Sequence, residues 1–538
     1  MNPITFEVVK NRLIAIAEEM ENGLMRSAYS PGVKEMRDCS CSLFNAQGQV
    51  VAQAAALPMH LGALTPAVAY LLQRYPIESM REEDVFIVND PSQGGTHLQD
   101  FVLMAPIVAN DRVVAFAVNL AHQIDIGGMA PGSGPGDATE IFQEGLRIPC
   151  LPLYSAGVPN ETIFEFIRLN VRSPELTLGD LRAQVSACKI GKQRMQELFA
   201  KYSISTILEC MSELLDYSER LIRKAIANTP DGVYECEDYI DDDGIDKDKP
   251  IPIRARLEIR GDEVLIDFIG TSPMVRGAIN CPYSSTFAAA MYATTGAFGP
   301  DVPNNGGCYR PIKLSVPMGS ILHAVPPSAV NARAVASRRA ADVLIQCLSL
   351  AVPERAIATS SDNTYVIQIS GRSNYSGRYF HYIEALGGGL GARRDRDGVD
   401  GIDTHTTNNM NVPIEAMELS TPLIVERFEL IKDSGGAGRW RGGLGFRKDI
   451  RVLQEATLGV RADRFIHPAS GMQGGAPGGL ADCWLNEVRI PSKKSLIPLK
   501  TGDIVSVRTA GGGGFGNPAD RDPSMVEADV RNGRVSSS

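Results

Sequence analysis

The stretch VFIVNDPSQGGTHLQDFVLMAPIVANDRVVAFAVNLAH, residues 85–122, decides how this chain is read. It holds a His-x-x-Asp pair, His97 and Asp100, and a second histidine, His122. Two apolar runs of eight residues, 101–108 and 113–120, are separated by Ala109-Asn110-Asp111-Arg112. An Asn-Asp pair suits a tight turn. Antiparallel pairing about that turn returns Asp100 to the Ala121-His122 end, one strand spacing (roughly 5 Å) away. Two imidazoles and a carboxylate gathered in this way suit a divalent metal with open coordination positions. The same hairpin also forms without a metal, as a polar loop whose histidines are satisfied internally.

Outward from this stretch, 538 residues exceed one compact core and predict two to four structural units. A net charge of −10 argues against nucleic acid as a partner and against a polybasic membrane patch. Fifty-two glycines and 33 prolines imply turns and loops rather than a helical bundle. The opening MNPITFEVVKNRL lacks a basic segment followed by an apolar core, and no apolar run approaches the ~20 residues that span a bilayer. The ten cysteines are scattered and form no C-x-x-C. A reduced, cytoplasmic protein is the expectation.

Hydrophobic periodicity predicts helices over 4–27, 161–171, 178–202, 205–228, 287–297 and 334–350, and a short one after His60 ending near Tyr75. Hairpins are predicted over 41–52, about Asn45 to Gly48, and over 254–270, turning at Gly261-Asp262. The acidic DDDGIDKD, residues 241–248, lacks the ligand spacing of an EF-hand and reads as a solvated loop. The fold class expected is mixed α+β and multi-layered. It has a metal-bearing α/β part with a helical segment over 1–230, a mixed β/α part over 231–410 and a Gly-rich β part over 411–520. A polar, frayed tail over 521–538 follows.

Around the His-Asp core lie further candidates. Asp38 precedes a strand and reads as a turn residue unless it reaches the metal loop. His60 reads as a capping or core residue. After His122 the Gly/Pro-rich segment to Pro149 carries Asp125, Glu140 and Glu144, each a surface or cap residue unless near a metal, where a carboxylate orients water. Gly511, Gly513 and Gly516 fit G-x-G-x-x-G, but Asn517-Pro518 follows where a helix should start, so the string reads as a tight turn. No P-loop and no G-x-S-x-G elbow occur.

Several strings together resemble the hydantoinase B family: NPITFEVVKNRL, Arg37-Asp38 followed by S-x-x-L-F-x-x-x-G, Asn89-Asp90-Pro91 with G-G-T-H-x-x-D, IFQEGLRIP, SGGAGRWRGGLG and GGGGFGNP. The family includes subunits of ATP-dependent N-methylhydantoin hydrolases, 5-oxoprolinases and caprolactamase, and the related acetone and acetophenone carboxylases. The resemblance implies a divalent metal, zinc or manganese, held by His97, Asp100 and His122 with Asp38 as fourth ligand. It also sets Glu144 on a family motif, and either Glu144 or Asp125 is then the candidate catalytic acid or base. It implies a hydantoinase A-type partner carrying ATP and magnesium in a hetero-oligomer such as a heterotetramer, and a cyclic amide as substrate. The alternatives are a subunit of an ATP-dependent ketone carboxylase and a non-catalytic scaffold for the ATPase subunit.

Overall fold

The computed structural model describes residues 2–362 and 365–537. Helix α1 (Pro3–Ser27) starts where the Asn2 side chain accepts from the Ile4 amide and Pro3 occupies the first turn. A short α2 (Pro31–Lys34) leads into a seven-stranded antiparallel sheet. Its strands are β1 (Cys39–Asn45), β2 (Val50–Gln53), β3 (Val85–Val88), β4 (Asp100–Ala109), β5 (Arg112–His122), β6 (Leu151–Ser155) and β7 (Val158–Pro159), in the order β2-β1-β5-β4-β3-β6-β7. β4 and β5 form the expected hairpin. Asn110 and Asp111 turn it with φ of 50° and 56°, the left-handed pair that matches strand twist.

Both faces of this sheet are covered, which is why its central strands read as continuous apolar runs. Phe116, Val118 and Leu120 of β5 pack against Leu64, Val68 and Leu71 of α3 (Pro58–Arg74). The alternate residues Ala115, Ala117 and Ala121 face the other way, toward α1 and the long helix α5 (Pro174–Tyr202). α4 (Glu161–Asn170) and α6 (Ile204–Ala227) complete that layer.

A second sheet, order β11-β10-β9-β8, uses β8 (Gly232–Ile240), β9 (Ile251–Arg260), β10 (Glu263–Asp267) and β11 (Ile312–Ser315). α8 (Ala334–Ala351) lies across β8 and β9, and α7 (Tyr283–Phe298) lies between α8 and α3. The remainder builds two antiparallel sheets on one core. One has the order β13-β12-β16-β19, from β12 (Tyr365–Arg372), β13 (Tyr379–Leu386), β16 (Ala456–Arg461) and β19 (Lys493–Leu499). The other has the order β14-β15-β20-β17-β18, from β14 (Leu423–Leu430), β15 (Phe446–Val452), β17 (Asp482–Leu485), β18 (Val488–Arg489) and β20 (Ile504–Arg508). The helices α9 (Ile414–Ser420) and α10 (Pro523–Arg531) flank them. The fold is therefore the expected mixed, multi-layered α and β. Among the described residues no helix is long and apolar enough to cross a membrane.

Four local expectations need correction. Hydrogen-bonded strands cross the boundary expected at 410/411, because β12 pairs with β16. The tail is not frayed: α10 buries Asp529, whose carboxylate meets Arg441, Arg521 and Arg534. The acidic segment is not simply solvated, since Asp241 is buried and accepts the amides of Phe465, Ile466 and His467. Gly511 to Gly514 do not form a tight turn. They run between other backbones so closely that a Cβ on Gly511 would fall 1.7 Å from the Ser434 carbonyl oxygen.

Candidate metal centre

The sheet register assembles the centre. β4 and β5 set Asp100 opposite His122. β1 lies on the other side of β5, with Cys39 opposite Ala121, and the His122 amide donates to the Asp38 carbonyl at 3.1 Å. Asp38, His122 and Asp100 thus stand at three adjacent strand ends. His97 comes from the loop before β4, where Gly94 takes φ 90° and its α-carbon presses on the backbone of Ala67. Asn89 ties that loop down, donating from Nδ2 to the Leu98 carbonyl at 2.6 Å.

The ligand atoms of His97, Asp100 and His122 all lie within 4.8 Å of one another. Asp100 Oδ1 is 3.1 Å from both His97 Nε2 and His122 Nδ1. Its Oδ2 takes a 2.6 Å bond from Arg333 Nη2 and one from the Thr96 hydroxyl. His60 is buried in the first turn of α3, as the core reading expects, and it also lines the cavity beside the centre. Its Nε2 is 3.5 Å from Asp38 Oδ1, and its Nδ1 is 3.4 Å from Ser40 Oγ.

Burial, then the Arg333 guanidinium, pushes the His97 pKa down to about 3. Burial lowers His60 as well. Burial works to raise Asp100, but His97 and Arg333 outweigh it and hold the carboxyl well below its usual range. Neutral imidazoles beside an ionised carboxylate are the protonation states a divalent cation requires. His97 Nδ1 is buried with no hydrogen-bond partner, so the ring is held by packing and by its Nε2 side. These residues fit a divalent cation with mixed N/O ligation.

The two candidate proton carriers differ. The Asp125 carboxylate is saturated: Oδ1 accepts the Gly127 and Arg172 amides, and Oδ2 accepts the Gly132 amide and Arg172 Nη1. Glu144 is also buried, but only Oε1 is engaged, by the Val330 and Asn331 amides at 2.7 Å each, and Oε2 has no partner. Burial pushes its pKa up to about 8, against the pull of those amides and of Arg461 and Arg333.

A cavity of about 80 Å³ opens on the centre, bounded by Asp38, His60, His97, His122, Arg333 and Arg461 among others. The strands β12 and β13 close its far side with Val366, Ile383 and Ala385. Sequence reasoning missed His60, Arg333 and Arg461. A histidine at the start of an otherwise apolar helix was the available signal for His60. Arg333 stands 233 residues from Asp100, and no local pattern joins them.

Fold and site together define a class: mixed α/β proteins with a buried two-histidine, one-carboxylate centre at the strand ends of an antiparallel sheet. Within that class the chain belongs to the hydantoinase B/oxoprolinase family, whose model matches residues 2–518. An uncharacterised protein of Methanocaldococcus jannaschii is 36% identical over 100% of this chain and 94% of its own. Caprolactamase subunit beta of Pseudomonas jessenii is 31% identical over 100% of this chain and 94% of its own. The crystal structure of the ATP-dependent caprolactamase from Pseudomonas jessenii superposes with a TM-score of 0.93 at 29% identity, covering 100% of this chain and 95% of that one. A nucleotide-free acetone carboxylase shares the fold, with a TM-score of 0.91 at 20% identity over 99% of this chain and 78% of that one.

Proposed function

We propose that this chain is the metal-holding subunit of an ATP-dependent cyclic-amide hydrolase, opening a hydantoin, 5-oxoproline or lactam ring beside a hydantoinase A-type subunit that binds ATP. The observation that carries this reading is the convergence of His97, Asp100 and His122 within 4.8 Å, in buried surroundings. Asp38 lines the same cavity but is not one of the three residues whose ligand atoms lie within 4.8 Å of one another; in this reading it is the fourth ligand. Zinc and manganese both suit such a donor set. The relative named as a beta subunit supports a hetero-oligomer. The near-complete overlap with the caprolactamase chain, 95% against 78% for the carboxylase, supports the hydrolase over the ketone-carboxylase alternative.

When bound, a divalent cation here supplies Lewis acidity toward an amide or imidate oxygen. Arg333 fixes Asp100 through Oδ2 and leaves Oδ1 facing the two imidazoles. Glu144, mostly protonated at neutral pH and with a free Oε2, holds a proton for the ring nitrogen. Asp125 organises the loop that carries Gly127 to Gly132 and moves no proton, since four donors occupy it.

The test is co-purification with the partner, metal analysis, and ring-opening assays with and without ATP. His97→Ala is expected to lose the metal and to slow ATP-dependent turnover about 100-fold or more. Unchanged turnover in that variant ends the proposal. Bicarbonate-dependent consumption of a ketone would favour the carboxylase, and a purified subunit devoid of metal would favour the scaffold.

A further inference from the structure

The wall beside the metal centre carries more hydrogen-bond donors than the protein satisfies. Arg333 uses Nη2 on Asp100, while its buried Nε has no partner. Arg338 pairs through Nη1 with Asp403 at 2.8 Å and bonds Thr407 through Nη2, yet its Nε is unmatched. Asn409 Nδ2 is buried with no acceptor. Arg461, 6% exposed on β16, bonds Asn331 Oδ1 at 2.5 Å and the Asn331 carbonyl at 3.4 Å. Among the described residues it forms no ion pair with a carboxylate. All four line the same cavity of about 80 Å³.

Among the described residues, the buried side-chain atoms of that lining without a hydrogen-bond partner are Arg333 Nε, Arg338 Nε, Asn409 Nδ2, His97 Nδ1 and Arg338 Nη1, the last of which is ion-paired with Asp403. No oxygen is among them. The start of α8, Ala334, lines the cavity too, and a helix N-terminus favours negative charge. Glu144, the carboxylate acting on Arg461, is held mostly protonated at neutral pH by burial, so it does not balance that cation. Buried, unbalanced donors cost free energy until an acceptor arrives.

We propose that Arg333, Arg338, Asn409 and Arg461, with the start of α8, form an anion subsite beside the His97–Asp100–His122 centre that takes a phosphoryl group carried by the substrate. The donors come from α8, from β16 and from the 407–409 segment, so they approach from separate directions. A tetrahedral phosphoryl group offers three oxygens to such a set, where a planar carboxylate offers two to one fork. The substrate assignment rests on the ATP-dependent reading above and adds one step to it: ATP on the partner transfers its γ-phosphoryl group to the amide oxygen, ADP leaves, and the ring carries an imidate phosphate ester. The subsite holds that ester with its former amide carbon toward the metal ligands.

The experiment titrates the metal-loaded chain with inorganic phosphate by calorimetry, comparing the wild type with Arg461→Met and Arg461→Lys. Metal content and circular dichroism are followed alongside. Phosphate binding that falls about ten-fold or more in Arg461→Met, at unchanged metal content, with partial recovery in Arg461→Lys, supports the subsite. Equal binding in all three, or none in the wild type, overturns it. If Arg461→Met fails to fold, Asn409→Leu makes the same comparison, because the Asn409 side-chain nitrogen has no partner to lose. ADP as competitor separates the sources: failure to displace phosphate supports a substrate-borne group, and displacement overturns that assignment in favour of a nucleotide. A failed subsite leaves the His97→Ala result untouched, so the two readings fail separately.

Discussion

Glu144 and Asp125 are the same chemical group in the same loop region, and their neighbours make them different. Four donors occupy both oxygens of Asp125; two amides on one oxygen do not compensate the burial of Glu144. The sign of the consequence follows from linkage. With its pKa raised from 4.5 to about 8, the folded chain binds a proton at Glu144 that the unfolded chain has released. That contribution to stability is fully present below about 4.5 and is lost as pH rises through about 8. Glu144→Gln keeps the oxygen that accepts both amides and abolishes the titration. Its stability between pH 5 and 8 is therefore expected to lose a falling slope of up to about 1.4 kcal/mol per pH unit relative to wild type. Urea denaturation across that range checks it, and parallel curves would refute the assignment. At this scale the sequence showed which residues were capable of chemistry. It did not show that one carboxylate is saturated and the other is not, because the deciding donors, such as Asn331 and Arg172, come from distant segments.

The β4–β5 hairpin sets the geometry of the centre. A side-chain period of two means that slipping its register by one residue would turn His122 to the opposite face from Asp100. The turn pins that register through two left-handed residues, Asn110 and Asp111. Asn tolerates this region; a β-branched residue does not. Asn110→Val is expected to cost about 1–2 kcal/mol and Asn110→Gly to change stability by less than about 1 kcal/mol. Chemical denaturation with parallel metal analysis would test this, and a Val variant as stable as the wild type would show that the turn does not hold the register. The hairpin was legible because two equal apolar runs flank a turn dipeptide. Strands such as β12 and β16 were not, since their partners lie 90 or so residues apart in sequence and no local signal registers the pairing.

Across the whole molecule, a buried ionic network joins units that the sequence keeps apart. His405 Nε2 is 2.9 Å from Asp342 Oδ1 and 3.1 Å from Asp362 Oδ1. Arg464 Nη2 reaches Asp362 at 2.6 Å and Asp238 at 3.0 Å, while Arg339 and Lys493 meet Asp463 at 2.9 and 3.0 Å. Asp342, Asp362 and His405 also lie close enough to hold an ion, but the arginines already balance their charge. Burial opposes the protonation of His405, and its two carboxylates outweigh it, raising the pKa to about 9. Its contribution to stability is present below 6.5 and is lost as pH rises through about 9. Removing one member leaves an uncompensated buried charge, so Arg464→Met is expected to cost about 3–5 kcal/mol. A denaturation midpoint within error of wild type would show that the network is dispensable.

By itself the sequence determined the hairpin, the long helices, the mixed α and β layering and the family, and it named Asp38, His97, Asp100 and His122 as candidate ligands, because each is written in local periodicity, turn chemistry or short motif spacing. Only the tertiary structure decided that His60, Arg333 and Arg461 line the cavity beside those residues, that Asp125 is tied up while Glu144 is not, and that one sheet runs through an expected boundary. Those outcomes depend on contacts between segments hundreds of residues apart, and local patterning carries no record of which distant backbone donor or charge a side chain will meet.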